Sequence, residues 1–532
     1  MNRLGTPVIV QRLPSRLGIR VLLLIAALTL TTVPIVSSDI QNSDPDDIRR
    51  LLKSATKLVR HGDITEAETF LRRAVAIHPD NSALKVELAH VLVRQRRLVE
   101  AYELSFAIAR VEPKNSRAYA VLGATFLAAG RFDDAKALFA TAIKIDKRED
   151  LAWAGYGMID FYENRINESI ANLQEAVYRE PSEPDYHFSL GQVSARAERY
   201  RAAADAYRKF LTVSRGGDDE RRARIKGLIN FLTFLGQKSS LYDTGGEDRT
   251  VVNFRLVGNR PVIQLRVNGK DEPLNFVLDT GSGITVISNK TAERLRVKPI
   301  TKGGFAKGIG GDGRFEIVYG FLRQVDIGDV EIRSVPVYIR EFHSSSEEID
   351  GYIGLSLISK FLTTIDYGSL SFTLLKKDED PTPIPALPEG TSVPLRLTSS
   401  GFLSGKVQLA GIDRSLNFIV DTGASVSVIS DELANLQAIS NYTKGEKLRV
   451  IGSAGITENV QSFLLPRVTF GEHSRESIAA IALDLDLINE ASGFEQAGIL
   501  GGNFLRNYRL TFDFKKSKVT FAPINNETKL VP

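Results

Sequence analysis

The chain has 532 residues, 43% of them apolar and 25% charged, which is too long for one core and too apolar for a disordered polymer. Its formal charge of +4 sits in Arg3, Arg12, Arg16 and Arg20, so residues 39–532 are neutral overall and nothing in the charge balance favours nucleic acid. With no cysteine, disulfides, thiol chemistry and cysteine-based zinc sites are excluded, and the six scattered histidines form no ligand spacing, so no metal and no cofactor are expected.

The four arginines precede "VLLLIAALTLTTVPIVSS" (Val21–Ser38), a stretch without a charge. A basic start, a short apolar run and small residues before Ser38 predict that residues 1–38 are a signal peptide or an N-terminal anchor. The protein is then expected to be exported, and to touch a membrane only through this segment if it is not cleaved.

From about Ile48 the sequence repeats every 34 residues. Pro79, Pro113 and Pro181 keep that period; so do Ala55, Ala89, Gly123, Gly157 and Gly191, and so do Ala67, Ala101, Ala135, Ser169 and Ala203. Small residues at fixed positions let paired helices approach, and proline restarts the chain after each pair. The pattern resembles the tetratricopeptide repeat family, which implies an all-α solenoid over 48–236. Its last stretch, "IKGLINFLTFL" (Ile225–Leu235), is expected to cap the open end.

"GQKSSLYDTGGEDRT" (Gly236–Thr250) reads as a linker, and its Asp243-Thr244-Gly245 as an ordinary turn. Beyond it the pattern changes to short β-branched and aromatic runs, divided at "KKDEDPTPIPALPEG" (Lys376–Gly390) into units at 251–375 and 391–529. Each unit carries one copy of a longer motif: "LNFVLDTGSGITVIS" (Leu274–Ser288) and "LNFIVDTGASVSVIS" (Leu416–Ser430). In both, an aspartate sits on a turn between two apolar strands, where a carboxylate has no structural use. Duplication supplies one. Two such turns about an approximate twofold axis bring Asp279 and Asp421 face to face, where they share one proton. The ionised partner then activates water while the protonated one polarises a peptide carbonyl.

Each half resembles a retropepsin-like aspartic protease unit, and the whole resembles a fused pair of them. The family's second signature, two apolar residues and a glycine, occurs in "YIGLSLISKF" with Ile353 and Gly354, and in "ILGGNFLRNY" with Leu500 and Gly501. The resemblance implies two all-β units in a pseudo-twofold pair, with Asp279 and Asp421 as catalytic residues. Thr280 and Thr422 would lock the turns together, and Gly281 and Gly423 would let backbone approach the carboxylates. One departure is Tyr352, a bulky ring where the family has an aliphatic side chain, which implies looser packing in the first half. The family's glycine-rich flaps fall at Gly308, Ile309, Gly310 and Gly311, and at Gly452, Ser453 and Ala454.

The two copies differ after the glycine, where Ser282 stands against Ala424. The Ser282 hydroxyl is expected to bond Asp279, holding the charge there and the proton on Asp421. The leading expectation is an exported aspartic endopeptidase acting on a polypeptide substrate within one chain, with a substrate or protein partner recruited by the repeats. A shortened chain beginning near Thr250 should then cleave short peptides as well as the full chain does. The alternatives are a peptide-binding module that has lost the reaction, and a scaffold whose main function is the solenoid.

Overall fold

The computed structural model describes residues 45–214, 216, 219–343, 348–376 and 390–524. The signal or anchor reading of residues 1–38 lies outside them. Among the described residues no helix is long and apolar enough to cross a membrane.

Five antiparallel helix pairs run from Pro45–His61 and Ile64–Ile77 to Pro184–Arg196 and Tyr200–Val213. The small periodic residues are the seams of these pairs: Ala67, Ala89, Ala101, Ala135, Ser169 and Ala203 are fully buried. A Cβ at Gly123 would lie 2.8 Å from the Phe139 ring, so each position is small because a neighbouring helix occupies the space. Asn81 and Asn115 cap the first helices of the second and third pairs, each accepting from a backbone N–H three residues on.

The helix Asp219–Leu235 closes the last pair through Ile225, Ile229 and Leu232. It does more than cap. Its other face carries Phe231 and Leu235 onto Ile317 and Tyr319 of the following β region. The segment after it is no free linker either: Asp243–Gly246 is a strand, paired antiparallel with Val330–Arg333. It fills the part of strand Val330–Arg340 that the short strand Thr285–Ser288, paired only to residues 337–340, leaves open.

The two β units repeat one topology. In the first, Leu274–Leu278 and Thr285–Ser288 flank Gly351–Ile353, which threads between them parallel to one and antiparallel to the other. In the second, Gly498–Leu500 threads in the same way between Leu416–Val420 and Ser427–Ser430. The units join through one sheet, in which Phe361–Asp366 pairs antiparallel with Tyr508–Asp513 and Thr364 meets Thr511 at 3.0 Å. This is the fold of an α-solenoid followed by two acid-protease units.

Solenoid and β units share a core. Phe494 of the second unit is fully buried among repeat residues, its ring 4.9 Å from Phe132 and 5.0 Å from Tyr162. Arg196, at the end of a repeat helix, lies 3.9 Å over Phe161 and donates to the Thr398 carbonyl at 2.7 Å. The expectation of separable parts is therefore not supported by the packing: removing the repeats exposes apolar surface on both units.

Candidate active site

The two motif turns meet. The Thr280 amide donates to the Thr422 hydroxyl at 3.2 Å, and the Thr422 amide to the Thr280 hydroxyl at 3.0 Å. Each hydroxyl then donates to the opposite strand, Thr280 to the Val420 carbonyl at 2.8 Å and Thr422 to the Leu278 carbonyl at 2.7 Å. Both threonines are fully buried, so these four bonds are shielded from water and fix the turns against each other.

The threading strands hold the aspartates from behind. Asp279 donates its amide to the Ile353 carbonyl and Asp421 to that of Leu500, each at 3.0 Å. Gly354 and Gly501 follow, and a Cβ there would lie 2.4 Å from Ile284 and 2.7 Å from Val426. Glycine is required by this crossing. It is also required at the turns, because a Cβ on Gly281 would meet the Asp421 carboxylate at 2.3 Å and one on Gly423 that of Asp279 at 2.7 Å. Each carboxylate thus lies against the backbone of the opposite turn.

The pair shares charge unequally. Burial, then the neighbouring Asp421, push Asp279 far above the ordinary carboxylate range. Burial raises Asp421 too, but it accepts from Gly423 N at 2.7 Å and Ala424 N at 3.2 Å, and these bonds favour its charged form. Among the described residues one backbone N–H bonds the Asp279 carboxyl, that of Gly281 at 2.9 Å. The proton belongs mainly on Asp279 and the charge on Asp421, the reverse of the assignment expected from Ser282. The Ser282 hydroxyl is engaged elsewhere, donating to the Ile284 carbonyl at 2.8 Å. That bond closes the turn locally, and Ser282 supports the loop rather than the carboxylate.

Two hairpins cover the pair and touch at their tips. Ala454 N donates to the Ile309 carbonyl at 2.8 Å, and Ile309 N to the Ser453 hydroxyl at 3.1 Å. Gly310 and Gly311 have φ of +88° and +57°, and a Cβ on Gly310 would lie 2.3 Å from the Gly455 carbonyl. Gly308 and Gly452 flank this contact, the first closing its own hairpin on Gly313 and the second on Gly455, at 2.9 and 2.8 Å.

The hairpins differ in their support. The first is pinned by ion pairs from Arg314 to Glu220 of the last helix and from Lys307 to Glu490 of the second unit. The second has an outer strand, Thr443–Ile451, exposed along nearly its whole length. Sequence reasoning missed Glu220, Glu490 and Phe494, since no local pattern distinguishes them from surface residues. It also misread Tyr352. Its ring faces the cleft and stacks edge-on with Phe342 at 5.1 Å, while Ile353 beside it is fully buried, so packing is not loosened.

The aspartates open on a cavity of about 2000 Å³. Its walls come from both units and both hairpins, and from the repeats through Arg94, Asp185, Phe188 and Arg221. The groove of the solenoid and the cleft are one space.

Residues 263–357 and 406–504 match the family model described as aspartyl protease. Residues 58–125, 116–149 and 157–219 match three models described as tetratricopeptide repeat. Among curated proteins, an "Inactive TPR repeat-containing thioredoxin TTL3" of Arabidopsis thaliana is 30% identical over 93 residues, 18% of this chain and 13% of that protein. Among solved structures, a thermophilic TPR protein of Thermus thermophilus aligns over 35% of this chain and 98% of its own, at 18% identity and a TM-score of 0.30. A MamA double mutant aligns over 32% and 96%, at 19% identity and a TM-score of 0.22.

Proposed function

We propose that this chain, in which tetratricopeptide repeats precede a duplicated aspartyl-protease domain, is an exported aspartic endopeptidase. The observation that carries the reading is the facing pair Asp279 and Asp421, each raised above the ordinary carboxylate range by desolvation, held by reciprocal threonine bonds and covered by two hairpins. Such a pair is costly to bury and does nothing for stability, so it is best explained by chemistry.

A peptide carbonyl bound between the carboxyls accepts a hydrogen bond from protonated Asp279, and that proton passes to the carbonyl oxygen as the tetrahedral diol forms, leaving Asp279 ionised. Ionised Asp421 takes a proton from a water molecule as its oxygen attacks the carbonyl carbon. The tetrahedral diol then collapses: Asp421 returns the proton to the departing nitrogen, the C–N bond breaks, and Asp279 recovers a proton from a diol hydroxyl. The continuity of the cleft with the solenoid groove favours an extended polypeptide as substrate, with the repeats contacting the stretch away from the cut. Export rests on Val21–Ser38 alone.

Purified protein incubated with an unfolded polypeptide from pH 3 to 8 tests the reading. Cleavage that a statin-type peptide abolishes is expected. Tight peptide binding without cleavage at any pH would identify a non-catalytic binding module instead.

A further inference from the structure

Strand register matches the two walls of the cleft residue for residue. In the second unit, Ile419 pairs with Ile499, Val428 with Ile481 and Ser430 with Leu483. In the first, the equivalent pairs are Val277 with Tyr352, Val286 with Tyr338 and Ser288 with Arg340. The second wall is thus aliphatic throughout, and Ile419, Val428, Ile481, Leu483 and Ile499 form one buried cluster. At the same positions the first wall has two tyrosines and an arginine. The duplication preserved the backbone and changed one pocket.

Arg340 is the chemical difference. Its guanidinium lies 5.1 Å from the Phe315 ring centroid, 5.0 Å from Phe342 and 5.9 Å from Tyr352, inside the cavity that holds Asp279. One nitrogen, Nη1, donates to the carbonyls of Ser453 at 2.8 Å and Glu341 at 3.2 Å. Among the described residues no carboxylate forms an ion pair with it, although most other cleft cations have one, such as Lys307 with Glu490 and Arg314 with Glu220. Burial draws its pKa below the usual arginine value, the mark of a cation stripped of water without a full counter-charge. The planar fork, its Nε and Nη2 unengaged by the described residues, suits two-point binding of a carboxylate.

We propose that Arg340 is a specificity-determining residue that binds a substrate carboxylate on the first-unit side of the scissile bond, while the aliphatic wall around Leu483 takes an apolar side chain on the other. This rests on the hydrolase reading above. Its substrates are then extended segments with an acidic residue on one side of the cut and a leucine-like residue on the other.

The test uses full-length protein and peptides with acetylated and amidated ends. They share a Leu-Leu centre, in which either leucine is replaced by Glu or by Gln. Rates are read at roughly pH 6, where a free Glu is ionised. At one of the two positions, Glu should exceed Gln by about tenfold in kcat/KM, as a charge-assisted bidentate contact allows. Arg340→Leu should bring that ratio to near one, Arg340→Lys should keep part of it, and Leu483→Arg should create a Glu preference at the other position. A companion peptide with leucine at the site and a free C-terminus just beyond it separates side-chain from chain-end recognition. A gain only for the free end would reassign the contact to a terminal carboxylate and overturn the side-chain proposal.

No Glu preference in wild type, or a preference that survives Arg340→Leu, would overturn the proposal and leave Arg340 as a latch on the Ser453 hairpin. If no peptide is cleaved, the hydrolase reading fails separately. The same Glu to Gln ratio, read as Kd by fluorescence anisotropy, then still decides the role of Arg340.

Discussion

Phe231, on the last helix of the solenoid, stacks on Tyr319 of the first hairpin with ring centroids 4.3 Å apart and planes 24° from parallel. Beside this stack a Cβ on Gly227 would lie 2.2 Å from the Lys302 carbonyl, so the helix touches the hairpin through bare backbone. The solenoid is in this way a wall of the first β unit.

Gly227→Ala should therefore force helix and hairpin apart. A loss of about 1–3 kcal/mol is expected from overpacking, read as a lower Tm, together with slower cleavage even of a short peptide. An unchanged Tm and an unchanged short-peptide rate would mean that the helix merely caps the solenoid.

The raised carboxyls give a signature in stability. Asp279 has a folded pKa above its unfolded value of about 3.9. Its contribution is then fully present below about pH 4 and is lost as pH rises through the folded value. Asp279→Asn should raise Tm relative to wild type near neutral pH, with the difference shrinking toward pH 4. Thermal melts of both proteins across pH 4 to 8 check this. A constant difference, or one that grows with acid, would contradict a protonated Asp279.

Ser282 provides a sharp control. Because its hydroxyl donates to the Ile284 carbonyl, Ser282→Ala should move the acid limb of the pH–rate profile by less than about 0.3 unit, equivalent to about 0.4 kcal/mol. A shift approaching one unit would show that the hydroxyl reaches the dyad after all. The profile reports the pair as a whole, so both limbs need fitting together.

The hairpin tips give a fourth handle. At Gly310 the backbone has φ of +88° and the Gly455 carbonyl occupies the space a Cβ would need. Gly310→Ala should strain the tip by about 1 kcal/mol or more and part the hairpins. Higher KM with a smaller effect on kcat is expected from steady-state kinetics. Unaltered kinetics would mean that the tip contact does not form during turnover.

Much of this was legible in the sequence because it rests on local rules. The 34-residue spacing of small residues encodes helix seams, and a glycine after an aspartate between two apolar strands encodes a turn that another chain segment must approach. The duplicated motif pointed to a meeting of Asp279 and Asp421 because a twofold relation follows from repetition. What was not legible depends on which partner a group selects in three dimensions. The Ser282 hydroxyl donates to the Ile284 carbonyl of its own turn, a choice of acceptor that no spacing in the sequence specifies. The local sequence at Asp243 reads as a free turn, but the segment is a strand because it pairs with a distant edge at Val330–Arg333. Phe494 and Glu220 are decided by docking between domains, for which a single sequence carries no period.

The central claim is that Asp279 and Asp421 of one chain act as a single acid–base pair on a peptide bond. The most direct measurement is kcat/KM for peptide hydrolysis by Asp279→Asn, by Asp421→Asn and by an equimolar mixture of the two, each variant first shown to be folded by its melt. The account predicts losses of at least about 10²-fold in both variants, as expected when a general acid or base is removed, and no recovery in the mixture. Near-wild-type activity in either single variant, or restoration on mixing, would contradict it.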